Sequence, residues 1–451
     1  MPVTNETGRE HHVVILGGGF GGLYASKALS RSGIRVTLID KRNFHLFQPL
    51  LYQVAAGWLS PGEIASPLRM VLSRYKNTCV YQAEVTDIVP DEKAVVLRDG
   101  IVTYDTLIVA TGSSHHYFGH EEWAKTAPGL KTVEDALEMR RKILLSFEAA
   151  EREPDPAVQK EWMTFLIIGA GPTGVELAGT IGELSRTTLK NDFRNIDTGK
   201  AEIILVEGRN HVLPSYPEKL SRKAEESLRR LGVTIRLDTL VTGIEGNKAV
   251  LSRNGVREEI ESRTILWTAG VKASPLGRVL EKRAGAALDG GGRVIVGPDL
   301  SIPGRPDIFV IGDLANFSHH GGEPLPGVAA VAMQEGRYVA ELIRDRLSEK
   351  ETRPFRYADK GSLAVIGRNA AVADLPWMKL SGFPAWLIWA FVHISYLIEF
   401  DSKVLVLFQW AWNYFTRKRG VRLITGEYPS SLVGNKNGGP DEKAGNAPYK
   451  D

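Results

Sequence analysis

The chain has 451 residues, with 56 Lys+Arg against 53 Asp+Glu, a formal net charge of +3 and one cysteine, Cys79. At about 150 residues per domain, the length suggests about three domains, or two with extensions. A single cysteine excludes an intramolecular disulfide, a CxxC redox pair and a structural zinc cage, and argues for a reducing compartment; the balanced charge leaves no whole-chain footprint for nucleic acid.

Residues 1–11 are polar and lack the apolar stretch of a signal peptide, so a disordered start is expected. From His12 the text HVVILGGGFGG reads as a buried strand running into a helix. A second such passage, MTFLIIGAGPTG, begins at Met163. The two are copies of one plan. VTLID (36–40) matches IILVE (203–207), and DTLIVATGS (105–113) matches RTILWTAGV (263–271). Matched landmarks in the same order indicate two related domains, and alternating strand and helix signals indicate parallel sheets in both. Between them, 131–152 reads as a surface helix closed by Pro154 and Pro156. Segment 187–200 is polar and reads as an insertion in the second copy. A late buried strand, IFVIGDLA (308–315), carries an acid at its end, and the tail from Gly434 is Gly-, Pro- and charge-rich, as disordered segments are.

Gly17, Gly19 and Gly22 form G-x-G-x-x-G directly after a strand. The first glycine allows the turn, the second lets the backbone approach a pyrophosphate, and the third lets the helix pack against the strand. The helix N-terminus supplies unpaired N–H groups for the phosphates. Asp40 ends the next strand, where a carboxylate accepts hydrogen bonds from ribose hydroxyls. Gly169, Gly171 and Gly174 repeat the pattern, with Glu207 ending the corresponding strand. The longer gap to Glu207 is accounted for by the polar insertion. A carboxylate repels a ribose 2′-phosphate, so Glu207 favours NADH over NADPH; Arg209 weakens that preference.

Two dinucleotide sites in one chain suggest hydride transfer from a nicotinamide to a flavin. Gly312-Asp313, at the end of the late strand, returns the chain to the first domain. There Asp313 can hold the ribityl hydroxyls of FAD, or serve as a helix N-cap. Glu176, expected in the first turn of the second-site helix, has two readings: it complements the helix dipole, or it faces the nicotinamide–flavin junction to orient the ring or relay a proton.

On these motifs, together with FQPLLYQVA (47–55), VAMQEGRYVA (331–340) and KGSLAVIGR (360–368), the chain resembles the type II NADH dehydrogenases over residues 11–425. These are single-subunit NADH:quinone oxidoreductases of the two-dinucleotide-binding-domain flavoprotein superfamily. The resemblance implies an α/β fold of two Rossmann-like domains, the second inserted in the first, plus a C-terminal amphipathic membrane-associating helical region. The expected division is a disordered 1–11, an FAD-binding part at 12–125 and a connecting helix at 126–160. An NADH-binding domain at 161–290, a second FAD-binding part at 291–380, membrane-anchoring helices at 381–425 and a disordered 426–451 follow. FAD is expected on Gly17, Gly19, Phe20, Gly21, Gly22, Asp40, Lys41, Val85, Ala110, Thr111, Gly112, Gly312 and Asp313. NADH is expected on Gly169, Gly171, Pro172, Thr173, Gly174, Glu207 and Gly270, with Glu176 catalytic. The quinone is expected against Ala329, Ala330 and Gln334, with Lys360 either stabilising a developing quinol oxyanion or standing as a surface lysine at a strand start. One departure stands out: many members carry glutamine where this chain has Ala330, and Gln334 is not assumed to replace it.

Five of the nine tryptophans lie between 377 and 412. The apolar run 385–398 is too short for the roughly 20 residues of a spanning helix. Glu399, Asp401 and Lys403 follow it. Segment 404–415 then reads as an amphipathic helix whose narrow polar stripe is Ser402, Gln409, Asn413 and Thr416. Arg417, Lys418, Arg419 and Arg422 close it. Aromatic residues beside cations suit a helix lying in an anionic leaflet; a C-terminal hairpin or homodimer interface would also bury tryptophans. The expected enzyme is a monotopic, non-pumping respiratory oxidoreductase at the cytoplasmic face of the inner membrane, with NADH and membrane quinone as partners and no metal. The alternatives are a soluble NAD(P)H oxidase, peroxidase or ferredoxin-type reductase, and a non-catalytic NADH sensor. Disulfide and sulfide reductases need cysteines at the flavin, and Cys79 reads as a small core hydrophobe.

Overall fold

The computed structural model describes residues 10–30, 32–398, 400–416 and 420–426. The expected disordered ends thus fall almost wholly outside the described residues, as do Glu399 and the cations Arg417, Lys418 and Arg419.

The chain opens with β1 (His12–Leu16), buried at every position, as a central strand covered on both faces must be. The helix α1 (Phe20–Leu29), β2 (Arg35–Asp40), and the short helices α2 (Leu51–Ala55) and α3 (Pro61–Ile64) follow. Ser60 and Glu63 close a capping box at α3. Next come β3 (Thr78–Gln82) and β4 (Thr106–Val109). The long helix α4 (Val133–Arg152) starts on a Thr132–Asp135 capping box and leads into the second unit. That unit is β5 (Thr164–Ile168), α5 (Pro172–Glu183), β6 (Glu202–Val206), β7 (Val233–Arg236) and β8 (Thr264–Trp267). The chain then returns through β9 (Ser301–Ile302), β10 (Arg305–Val310) and α6 (Ala329–Leu347). It ends in the strands β11 (Ser362–Gly367), β12 (Ala370–Leu375) and β13 (Met378–Gly382), and the helices α7 (Phe383–Tyr396) and α8 (Phe400–Thr416).

The first sheet runs β9-β10-β4-β1-β2-β3, parallel except for β9. The second runs β7-β6-β5-β8 and is wholly parallel. The first sheet therefore takes strands from both sides of the second in the chain, an α/β fold with one unit inserted in the other. The repeat is exact in place: β4 pairs with β1 from Val13↔Thr106, and β8 pairs with β5 from Phe165↔Thr264.

Two expectations need correction. Helix α4 is not a surface helix, because Ala136, Met139, Ile143 and Phe147 are fully buried. Those positions recur at helical spacing and face the core. Cys79 is exposed on the edge strand β3, where Val80 takes the inward position and period two turns its neighbours out. The insertion 187–200 folds back on α4: the Glu151 carboxylate accepts the Arg194 and Asn195 N–H groups at 2.8 and 2.9 Å. The C-terminal helices share a core with the second unit. Ala385, Trp389, Leu397 and Val406 belong to one buried cluster with Phe165 and Ile167.

Candidate active site

The two glycine loops have the same geometry. Gly17 and Gly169 sit at φ +103° and +100°, a region that favours glycine. A Cβ on Gly22 would lie 1.9 Å from the Gly17 carbonyl oxygen, and one on Gly174 would lie 1.8 Å from that of Gly169. The third glycine of each motif thus lets helix meet strand. The middle glycines differ in kind: a Cβ on Gly19 or Gly171 would meet nothing within 4 Å. Both stand as the residue before a helix, and the space beside them is what an approaching pyrophosphate needs.

Each loop is closed by its own carboxylate. Asp40 accepts the Gly18 N–H at 2.5 Å and the Arg42 N–H at 2.7 Å. Glu207 accepts the Ala170 N–H at 2.8 Å and the Arg209 N–H at 3.0 Å. The side chain of Arg209 is exposed. At the first loop, Thr111 follows Ala110 behind Gly17, and its buried Oγ1 has no hydrogen-bond partner. An unclaimed polar atom beside an open glycine cradle fits a bound dinucleotide. His45, buried, donates from Nδ1 to the Gly18 carbonyl at 2.9 Å, and burial lowers its pKa to about 4. The ring therefore braces the loop as a neutral group; no spacing rule in the sequence marks it.

Asp313 is not an N-cap. Its turn starts at Ile311, without a side-chain cap, and the Asp313 carboxylate accepts from Ser113 at 2.5 Å with Lys131 Nζ at 3.5 Å. Gly312, Gly21 and α6 converge at Ala332, whose Cβ lies 3.5 Å from a Cβ built on Gly312 and whose carbonyl oxygen is equally close to one on Gly21. Ala329 and Ala330 are the first two residues of α6 and are half-buried. Lys41 is exposed, Phe20 stacks edge-on against His45 and Phe47, and Val85 sits half-buried on a separate three-stranded sheet. Gly112 and Gly270 both adopt positive φ; Pro172 and Thr173 open α5.

Glu176 is the fifth residue of α5, beyond the first turn, and it is buried. That removes the dipole reading. Desolvation holds its carboxyl well above the usual range, with a counteracting hydrogen bond from the Val365 backbone. Glu176 thus faces β11, the strand that follows Lys360. Lys360 itself is exposed just before β11. Gln334 has its amide fully committed: it donates to the Ala358 carbonyl and accepts the Ala358 N–H, both at 3.0 Å. It holds the strand approach and does not substitute for a glutamine at position 330.

Helix α8 has two distinct faces. Its inner face carries Val406, Gln409 and Trp410: Gln409 bonds the buried Glu63 carboxylate, and Trp410 Nε1 donates to Gln53 Oε1 at 2.9 Å. Its outer face carries Leu405, Leu407, Phe408 and Trp412, all more than half exposed. Of the expected polar stripe, Gln409 points into the protein, while the Thr416 hydroxyl bonds back to the Trp412 carbonyl of its own helix. Arg422 pairs with Asp192 and is not a free cation of the closing cluster. The side chain of Asn413 lies outside the described residues.

Paired, carboxylate-closed dinucleotide cradles on two like sheets define a pyridine-nucleotide oxidoreductase, and residues 11–336 match the pyridine nucleotide-disulphide oxidoreductase family. Residues 360–419 match the NDH2 C-terminal domain. The chain belongs to the type II NADH:quinone oxidoreductases. It is 46% identical to the Mycobacterium tuberculosis type II NADH:quinone oxidoreductase Ndh, over 94% of this chain and 92% of that protein. It is 33% identical to the Staphylococcus aureus type II NADH:quinone oxidoreductase, over 80% and 88%. The Plasmodium falciparum NDH2 structure in complex with NADH shares the fold, with a TM-score of 0.83 at 20% identity over 93% of this chain and all of that one.

Proposed function

We propose that the protein is a non-proton-pumping respiratory NADH:quinone oxidoreductase, working from the cytoplasmic face of the cell membrane where NADH is available. The observation that carries this is the pair of equivalent open cradles at Gly19 and Gly171, each beside its own carboxylate. In this reading 12–125 and 291–380 form the FAD unit, 161–290 the NADH unit and 381–425 the membrane-facing part. The α1 loop, Asp40, Thr111, Gly112 and Asp313 hold FAD. The α5 loop, Glu207 and Gly270 hold NADH, and Glu207 disfavours a 2′-phosphate. Bound FAD supplies a relay that accepts two electrons from NADH and passes them to quinone. Glu176, whose carboxyl burial holds above the usual range, orients the nicotinamide side by hydrogen bonding. The start of α6 and the Lys360 approach flank the quinone side.

The outer residues of α7 and α8 support attachment to the bilayer. Phe383, Leu387 and Phe391 of α7 are exposed, as are Leu405, Phe408 and Trp412 of α8, and large apolar side chains left in water mark contact surfaces. A homodimer would use the same face. Flotation with anionic phospholipid vesicles, set against light scattering without them, separates the two.

The test of function is a flavin spectrum of the purified protein, titrated with NADH and then with a quinone. Bleaching by NADH and recovery with quinone are expected. A preparation without flavin, or a bleached flavin that quinone leaves bleached, refutes the reading. A pH gradient built by the enzyme in liposomes would refute the non-pumping part.

A further inference from the structure

One turn of α6, Gln334-Glu335-Gly336, holds three separate segments. Gln334 clamps Ala358 in both directions. Gly336 lets α6 touch α1, since a Cβ there would lie 2.3 Å from the Gly21 carbonyl oxygen. Glu335 lies between them, 1% exposed, and accepts the Gly312 N–H at 2.6 Å. Gly312 sits at φ +71° and carries Asp313 as its neighbour.

We propose that Glu335 is a positioning residue of the FAD site, a proton-sensitive clip that seats the Gly312-Asp313 turn against the glycine helix. This rests on the reading that Asp313 and the α1 loop hold FAD. The charges around the clip explain its sensitivity. Asp313 is on the clipped turn itself, with Lys131 beyond it at 3.5 Å. Lys27 of α1 and Arg337 of α6 lie over the Tyr24 ring, 6.0 and 4.7 Å from its centroid. Ionised, Glu335 would be a buried anion whose charged neighbour on the turn is another anion. Burial first, and then Asp313, raise its carboxyl to about 8, while the Gly312 N–H pulls the other way. Below that pH the neutral acid holds the turn. Above it, charge beside Asp313 works against the closed arrangement.

The experiment follows FAD release from the holoenzyme after dilution, by flavin fluorescence, from acid to alkaline pH. Wild type is expected to release FAD faster as pH rises through about 8, by about tenfold if FAD binding moves the Glu335 pKa by one unit. E335Q keeps an acceptor for Gly312 but cannot ionise, so its release should be slow and independent of pH. E335L should release FAD faster at every pH. If E335Q keeps the wild-type pH dependence, the proposal fails, whether or not E335L folds; so it does if E335L holds FAD as wild type does. A D313A arm separates the layers: unchanged release in D313A overturns the site reading beneath. Faster release in D313A with unaltered Glu335 variants overturns this inference alone.

Discussion

The substitution Gly171→Ala should separate binding from folding. Gly171 has an extended backbone, φ −69° and ψ −177°, that alanine adopts without strain, and its added methyl meets no atom within 4 Å. Two small terms then oppose each other. Alanine restricts the unfolded chain, a gain of about 0.4–1 kcal/mol, and it is a poorer residue than glycine before a helix, a loss of about the same size. Stability should change by less than about 1 kcal/mol. The methyl does fill the space at the α5 N-terminus that a pyrophosphate would occupy. Weakening one charge-assisted hydrogen bond there costs about 1.5–3 kcal/mol, or roughly 10- to 150-fold in affinity for NADH. Gly174→Ala is the control, because its Cβ would stand 1.8 Å from the Gly169 carbonyl oxygen and 2.7 Å from Thr268 Oγ1. A backbone carbonyl does not yield as a side-chain end does, so this variant should misfold. The assay is Tm, flavin content and KM for NADH on each purified variant. Gly171→Ala should keep its Tm and flavin and raise KM. A KM within a factor of about two of wild type would refute the pyrophosphate reading of the second loop, and a Tm loss like that of Gly174→Ala would refute the steric argument.

Trp410→Phe removes the donor to buried Gln53 but keeps a ring beside Trp389, whose centroid is 5.0 Å away. It should cost about 1–3 kcal/mol in urea unfolding; an unchanged midpoint would show that the bond holds nothing. Leu405→Glu with Phe408→Glu changes side chains 52% and 65% exposed. Vesicle flotation should fall sharply at unaltered Tm, and equal flotation would move the membrane contact elsewhere. Glu176 has a folded pKa well above its ordinary value of 4.5. The unfolded chain therefore loses this proton first as pH rises, so the contribution to stability is full below about 4.5 and declines toward the folded pKa. Glu176→Gln should flatten Tm against pH over that window; a slope parallel to wild type would place Glu176 in solvent.

What was legible in the sequence is what the backbone itself constrains. The glycine loops, both acid-ended strands and the matched third strands fall where the text puts them, because tight turns and buried parallel strands need particular residues at fixed offsets. Glu335 was not legible. Its partner Gly312 is remote in the chain, and only the approach of α6 to α1 through Gly21 and Gly336 brings them together. His45 is similar, since its bond to Gly18 depends on how the segment after β2 crosses the loop. Cys79 failed for a simpler reason: on an edge strand, period two identifies two faces, and Val80 claims the inner one.

Helix α8 extends that point from a strand to a function. Periodicity alone finds a polar stripe and an apolar face on 400–416, and the ordinary assumption sends the polar stripe to water. Here the apolar face is outermost, because the inner surface has specific uses for polar groups. Glu63, which caps α3, takes Gln409, and Gln53 of α2 takes Trp410. Gln53 lies within the FQPLLYQVA run, and Glu63 follows it; the run packs beside the first glycine loop through Phe20 and Phe47. The helix is therefore pinned from within by hydrogen bonds, leaving its outer face free of any structural duty inside the molecule. An exposed face of Leu405, Phe408 and Trp412 costs about 25 cal/mol per Å² of apolar surface left in water. Under the proposed membrane attachment, a bilayer covering that face would return this free energy.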